Sequence, residues 1–487
     1  MSNAESYDLL IRGGTVIDGT KAPRYEADVA VKDGRIAAIG ELSGASARRT
    51  VQAQGRIVAP GFIDSHTHDD QALVAQPDMS FKASQGVTTV IAGNCGVSAA
   101  PLKPGMELPM PLNLMESRDG HRFTSFAEYF GALRRQPAAL NVAALVGHTT
   151  LRAVTMDSLD RPATEPEIAA MRALLDEALE AGAIGLSTGT FYPPATAAPT
   201  EEIIEIGRPL TARKGLYVTH MRDESAEVMQ ALDETFRIGR ELGVPVVVSH
   251  HKVMGRPNFG RTHETLAFIR DTMGRQPVCL DCYPYNAGST MIRTDRGMAD
   301  GRVLIASSEP HPECAGRDLG DIAREWGVEQ SEAARRLQPG TAIYFLMDED
   351  DVQRVLKFED TMIGSDGIPV GEKPHPRLWG TFPRVLGHYS REVNLFPLET
   401  AVWKMTGLTA RNFGLAGRGT VAVGQQADLV VFDAATIRDA ATYEAPNRPA
   451  EGIECVVVNG EMAWEQGRAT GSRSGQVITR ASQAAAR

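Results

Sequence analysis

The sequence predicts an α/β protein: a (β/α)8 barrel of the TIM type, with a small β-sandwich domain built from both termini and an inserted subdomain. Three observations predict it. Eight apolar, strand-like runs separated by helical patterns fill the middle of the chain, the alternation expected of a parallel sheet wrapped by helices. Short alternating β runs with tight turns occupy both ends, and one interval between runs is too long for a single βα unit.

The opening segment reads as antiparallel β: Tyr7–Arg12 alternates around Leu9 and Ile11, and Ala27–Val31 leads through the turn Lys32-Asp33-Gly34 into Arg35–Ile39. The eight barrel runs are Ile57–Asp64, Val87–Gly93, Asn141–Gly147, Gly182–Thr188, Leu216–His220, Val244–His250, Val278–Tyr283 and Thr361–Ser365. Ser125 with Glu128 and Thr164 with Glu167 have capping-box spacing, Thr200 opens another helix, and Gly182, Gly215 and Gly243 stand where helices end. The stretch between Tyr285 and Thr361 holds its own helical pattern around Leu319–Leu337 and reads as a lid beside a strand's C-terminal end. After the helical region Leu398–Leu415, β texture returns at Gly419–Phe432 and Ile453–Trp464. The expected division is residues 1–56 with 416–480 for the β-domain, 57–415 for the barrel and 286–358 for the insertion.

Composition narrows the function. The 487 residues carry 50 Lys and Arg against 61 Asp and Glu, a formal net charge of −11, which argues against a nucleic-acid partner. No apolar run approaches the ~20 residues that cross a bilayer, and Glu5 and Asp8 interrupt any leader-like start. A cytoplasmic enzyme without a membrane partner is expected, its oligomeric state left open. Five cysteines are too few for a disulfide scaffold and odd in number.

Chemistry concentrates at the predicted strand ends. In Asp64-Ser65-His66-Thr67-His68, alternate side chains share a face, so His66 and His68 point together into the barrel mouth as two ligands of one metal would. Cys95, His220, His250 and Asp366 stand at the C-terminal ends of other runs. A thiolate among imidazoles and carboxylates favours zinc over magnesium or calcium. So many ligands exceed one tetrahedral ion and predict two adjacent subsites: a tight one at Cys95, His220 and His250, and a weaker one at His66 and His68, with Cys95 and Asp366 close to both. Cys279 and Cys282 lie three apart in a strand, face opposite sides, and read as core. His148, also at a strand end, is a candidate supporting group or substrate contact.

The His-x-His motif together with Gly419-Thr420-Val421-Ala422-Val423-Gly424-Gln425-Gln426-Ala427-Asp428-Leu429-Val430 resembles the amidohydrolase superfamily. Gly93-Asn94-Cys95-Gly96, Ser187-Thr188-Gly189, Ser249-His250-His251-Lys252, Tyr283-Pro284-Tyr285 and Gly364-Ser365-Asp366-Gly367 resemble, more narrowly, the D-aminoacylases, the N-acyl-D-amino-acid deacylases. That resemblance implies a cysteine thiolate where other relatives use a carboxylated lysine, and implies Asp366 as catalytic acid and base in zinc-assisted hydrolysis of an N-acyl-D-amino acid. The D configuration rests on the resemblance alone.

Such substrates are small anions, so a cationic recess must oppose the global charge. Lys252, Tyr283 and Arg377 are placed for the α-carboxylate, with Ser289 and His251 as further substrate contacts. Arg296 or Arg293, at the start of the insertion, points towards an acidic side chain as in N-acyl-D-glutamate; an ion pair with Asp295 explains either equally well. Two rival readings stand beside this one. A cyclic amidase of the hydantoinase or dihydroorotase kind needs a lysine at a middle strand end, where this chain has His148 and Thr188; a non-catalytic scaffold would have lost ligands that are present here.

Overall fold

The computed structural model describes residues 6–116, 121–294 and 301–479. Eight parallel strands run in chain order around one sheet: Phe62–Asp64 (β1), Val87–Ala92 (β2), Asn141–Gly147 (β3), Gly185–Gly189 (β4), Leu216–His220 (β5), Val246–Val248 (β6), Val278–Cys282 (β7) and Thr361–Ile363 (β8). The ring closes where β8 meets β1. Ser65 N donates to Ile363 O at 3.3 Å, Asp366 N donates to His66 O at 2.9 Å, and Thr67 pairs in parallel with Gly367.

Every barrel strand is buried along its whole length, because the side chains filling the barrel interior cover one face and the helices the other. Alternate residues therefore enter two cores. Ile63, Ile91, Leu145, Val218, Val247, Cys279 and Met362 fill the barrel interior, while Phe62, Val90, Val146, Val248 and Cys282 pack outward. Cys279 and Cys282 thus lie on opposite sides of β7, and all five cysteines are buried and free.

One predicted run divides. Ile57–Asp64 reads as a single strand, but Ile57–Pro60 pairs with Leu429–Phe432 and with Thr15–Val16 in the β-sheet formed by the two chain ends, and only Phe62–Asp64 enters the barrel. Gly61 makes the break: its N–H donates to Asp428 O, and a Cβ on it would lie 2.1 Å from Thr88 Cγ2. The terminal sheet has nine strands and its own core around Ile11, Val29, Val58, Leu429 and Val457.

Helix ends follow their chemistry. Ser125 caps Phe126–Arg135 by accepting from Glu128 N, Thr164 and Glu167 form a reciprocal box on Glu165–Ala181, and Gly182 and Gly243 end helices in the left-handed region. At Gly215 the left-handed residue is instead the preceding Lys214. Between β7 and β8, strands Gly288–Met291, Val303–Ser308 and Gly340–Tyr344 form a separate sheet packed with helices Leu319–Trp326 and Gln330–Leu337. No helix among the described residues is long and apolar enough to cross a membrane.

Candidate metal centre and substrate recess

The C-terminal rim of the barrel gathers all six predicted ligand residues. His66 Nε2 stands 3.2 Å from Cys95 Sγ, which is 3.3 Å from His250 Nε2. His68 Nε2 and His66 Nε2 approach Asp366 Oδ1 at 3.2 and 3.6 Å. One donor atom from each of His66, Cys95, His250 and Asp366 lies within 4.8 Å of the others, as does one from each of His220, Glu224 and His250. The rings of His220 and His250 meet edge to face with centroids 4.4 Å apart.

This convergence is held by strained backbone. Cys95, His250 and Asp366 all adopt left-handed conformations, with φ of +54°, +34° and +49°. L-residues with side chains seldom sit there, and such strain clusters where a surrounding structure fixes a functional group. The flanking glycines follow from crowding: a Cβ on Gly93 would lie 2.1 Å from Leu145 O, and one on Gly364 2.6 Å from His66 Cβ.

The donor set fits zinc. Burial pushes the imidazoles of His66 and His250 down to about 3, which keeps them neutral, as ligation requires. His66 Nδ1, His68 Nδ1 and His220 Nδ1 are buried without a hydrogen-bond partner. For Cys95, burial first and then the charge of Asp366 push the thiol far up, so its thiolate needs a cation beside it. Neutral imidazoles, one thiol and a carboxylate make a borderline-soft set, which suits zinc and not magnesium or calcium.

Three acids that sequence reasoning missed support these ligands. Glu224 is buried, with Oε1 3.1 Å from His250 Nδ1 and Oε2 3.3 Å from His220 Nε2. Asp281 accepts from His250 N at 2.7 Å and lies 3.6 Å from His66 Nδ1. Asp64 accepts from Ser365 N at 2.7 Å and from Lys82 Nζ at 2.7 Å, tying β1 to the loop that carries Asp366. The only sequence signal for Glu224 is its place four residues after His220; Asp64 opens the His-x-His motif and could have been found there.

Beside Asp366 lies a narrow recess of about 40 Å³ bordered by Lys252, Tyr283, Ser289, Phe191 and Arg293. Arg377 is fully buried: Nη1 pairs with Asp366 Oδ2 at 2.9 Å, Nη2 donates to Ser289 O at 3.0 Å, and the guanidinium lies 4.6 Å over the Tyr283 ring. Lys252 Nζ is held at 2.8 Å by Glu224 Oε1 and lies 5.6 Å from the centroid of the same tyrosine ring. Asp366 also borders a larger cavity of about 370 Å³, together with His68, Cys95, Tyr192, Met291 and Ile368.

Two expectations need correction. His251 does not face the recess: its Nε2 bonds Thr265 Oγ1 at 2.8 Å in the helical layer, because it turns away from its neighbour His250. His148 is likewise buried away from the metal cluster, 3.2 Å from Glu202. Arg296 lies outside the described residues, whereas Arg293 borders the recess with its guanidinium 4.6 Å over Phe191.

Residues 49–308 and 314–463 match the Amidohydrolase family. The chain is 58% identical over 479 residues to the D-aminoacylase of Alcaligenes xylosoxydans xylosoxydans, covering 98% of this chain and 99% of the relative. A solved D-aminoacylase, described as having a binuclear metal centre with one-metal activation and second-metal attenuation, superposes with a TM-score of 0.95 at 59% identity, covering 97% of this chain and all of that one. The N-acyl-D-glutamate deacylase of Bordetella bronchiseptica, solved with zinc and a phosphonate mimic of the tetrahedral intermediate, gives a TM-score of 0.94 at 47% identity over 98% of this chain and all of that one. Matched along nearly its whole length, the chain belongs to the amidohydrolase family, in the same group as the D-aminoacylases.

Proposed function

We infer that this protein is a zinc-dependent hydrolase that cleaves the amide of N-acyl-D-amino acids to a carboxylate and a free D-amino acid. The observation that carries the reading is the convergence of His66, Cys95, His250 and Asp366, with His220 alongside, next to a recess bordered by Lys252, with Arg377 paired to Asp366 behind it. His66, His68, Cys95, His220 and His250 would hold the metal, Asp366 beside them. Zinc, when bound, supplies Lewis acidity that polarises an amide carbonyl and brings the pKa of water towards ~7.

The chain's own residues do the rest. Lys252, Arg377 and the Tyr283 hydroxyl take the α-carboxylate and fix the substrate's orientation, so that the scissile amide lies at Asp366. Burial opposes ionisation of Asp366, but the charge of Arg377 first, and then the bond from His68, hold its carboxyl well below the usual range. It is therefore a carboxylate near neutral pH, able to take a proton from the attacking water and deliver it to the departing nitrogen. The amide C–N bond breaks as the new C–O bond completes, and the proton leaves on the free amine. Arg293, at the recess edge, is the contact an acidic side chain would use.

Stereochemical assignment draws on the relatives, since a D-aminoacylase and an N-acyl-D-glutamate deacylase share the fold and most of the length. The deciding experiment screens paired N-acetyl-D- and N-acetyl-L-amino acids with zinc-loaded and chelator-stripped protein. Zinc-restored turnover of D substrates is expected. Turnover confined to L substrates or cyclic amides, or activity indifferent to zinc removal, overturns the reading.

A further inference from the structure

The larger cavity beside Asp366 does not end at the metal cluster. A second cavity of about 450 Å³ shares His68, Glu116, Val370 and Gly371 with it. Its far wall is apolar: Phe81 and Trp379 meet edge to face at 6.3 Å, and Leu378, Ala72 and Ala75 complete it. Val370, at the junction, keeps an apolar side chain 42% exposed. It continues the apolar wall of Phe81, Trp379, Leu378, Ala72 and Ala75, and a contiguous apolar patch beside an active site marks a place for an apolar ligand.

Charge agrees with shape. Among the described residues bordering the two cavities there is no lysine or arginine, whereas the narrow recess that also borders Asp366 has Lys252 and Arg293. Three of the polar side chains that border the second cavity are already engaged: Arg122 Nη2 donates to Glu116 Oε2 at 2.9 Å, Gln71 Nε2 to Met115 O at 2.9 Å and Asn447 Nδ2 to Glu372 O at 3.1 Å. A substrate anchored by its carboxylate at Lys252, with its amide at Asp366, must send its acyl group towards His68 and so into this joined space. An acetyl group would leave most of it to water.

On the reading of function above, we propose that the second cavity is an acyl-chain subsite, and that the preferred substrates are N-acyl-D-amino acids with long, linear, saturated acyl groups. Complete burial of one methylene is worth about fourfold in binding. A groove open along one side returns less, so a gain of at least about tenfold in kcat/KM from acetyl to octanoyl is expected, carried by KM.

The test uses the zinc-loaded enzyme and one D-amino acid bearing acetyl, butanoyl, octanoyl or dodecanoyl groups, each below its micelle concentration. Ala75→Trp, at an exposed position on the cavity wall, should return the octanoyl-to-acetyl ratio towards one, and Gln76→Trp on the same rim repeats the test independently of how well either variant folds. The ratio is the readout because loss of folding or of zinc lowers both substrates alike. A flat or falling series, or a ratio that both variants leave intact, overturns the subsite. Failure of every member of the series, acetyl included, overturns the assigned reaction instead.

Discussion

Glu224 Oε1 lies 2.8 Å from Lys252 Nζ, and the same buried carboxylate faces His250 Nδ1 and His220 Nε2. Lys252 also donates to His250 O at 3.0 Å. One acid therefore connects the cation that meets the substrate to two imidazoles of the metal cluster. Burial works against its ionisation, yet the charge of Lys252, with the imidazoles of His220 and His250 facing it, holds it well below the ordinary glutamate range. Acids that orient ligating imidazoles are worth 10–100-fold in metal affinity or activity.

Replacing Glu224 with Gln keeps the shape and removes the charge. Zinc affinity, read by competition with a chromogenic chelator, should fall about 10- to 100-fold, and KM should rise because Lys252 loses its anchor. Unchanged zinc affinity together with unchanged KM would reduce Glu224 to a packing residue.

Arg377 makes a different prediction, since its guanidinium touches both Asp366 and Ser289 O from a fully buried position. A charge-assisted contact to a substrate carboxylate is worth about 1.5–3 kcal/mol, or roughly 10- to 100-fold in kcat/KM. Arg377→Met should lose that factor on an N-acetyl-D-amino acid but much less on the matching N-acetyl-alkylamine, which has no carboxylate. Equal losses on the two compounds would mean that Arg377 serves Asp366 alone.

The barrel was legible because its strands are buried on both faces and so read as short, unbroken apolar runs; Asn141–Gly147 and Leu216–His220 are found residue for residue. The same property hid the division of Ile57–Asp64, since two buried segments on either side of Gly61 show no change in pattern. The metal cluster was legible because strand ends are where barrel chemistry sits. Glu224 was not, because Arg222-Asp223-Glu224 reads as a solvated charge run until Lys252, His220 and His250 close over it. His251 misled by adjacency: its neighbour faces the cluster, and consecutive side chains do not.

Lys82 is fully buried, 2.7 Å from Asp64 Oδ2, 3.5 Å from Asp69 Oδ2 and 2.6 Å from Ser365 Oγ. Removing one partner from such a cluster leaves an uncompensated buried charge and costs about 3–5 kcal/mol. Lys82→Met should lower the urea unfolding free energy by that amount and, through Ser365, loosen Asp366. Arg473→Ala, which breaks the surface pair with Asp78, should change stability by no more than about 1 kcal/mol. Comparable losses in the two variants would contradict the role given to burial.

Lys404 supplies a pH dependence far from the metal. Its Nζ donates to Phe358 O, Glu359 O and Thr361 O at the base of β8, and burial pulls its pKa from 10.5 down to about 7. Below pH 7 both folded and unfolded chains carry the proton, and the folded state bears the whole cost of a buried charge. Between pH 7 and 10.5 the unfolded chain holds more protons than the folded one, so unfolding free energy rises with pH, by up to about 1.4 kcal/mol per pH unit. Lys404→Met lacks this group, so the stability of the natural protein measured against that variant should climb from pH 7 to pH 10 and be flat below pH 6. Denaturant titrations of the two proteins across that range give the difference directly; a constant difference, or one that falls with pH, would show that the three carbonyls keep Lys404 charged throughout.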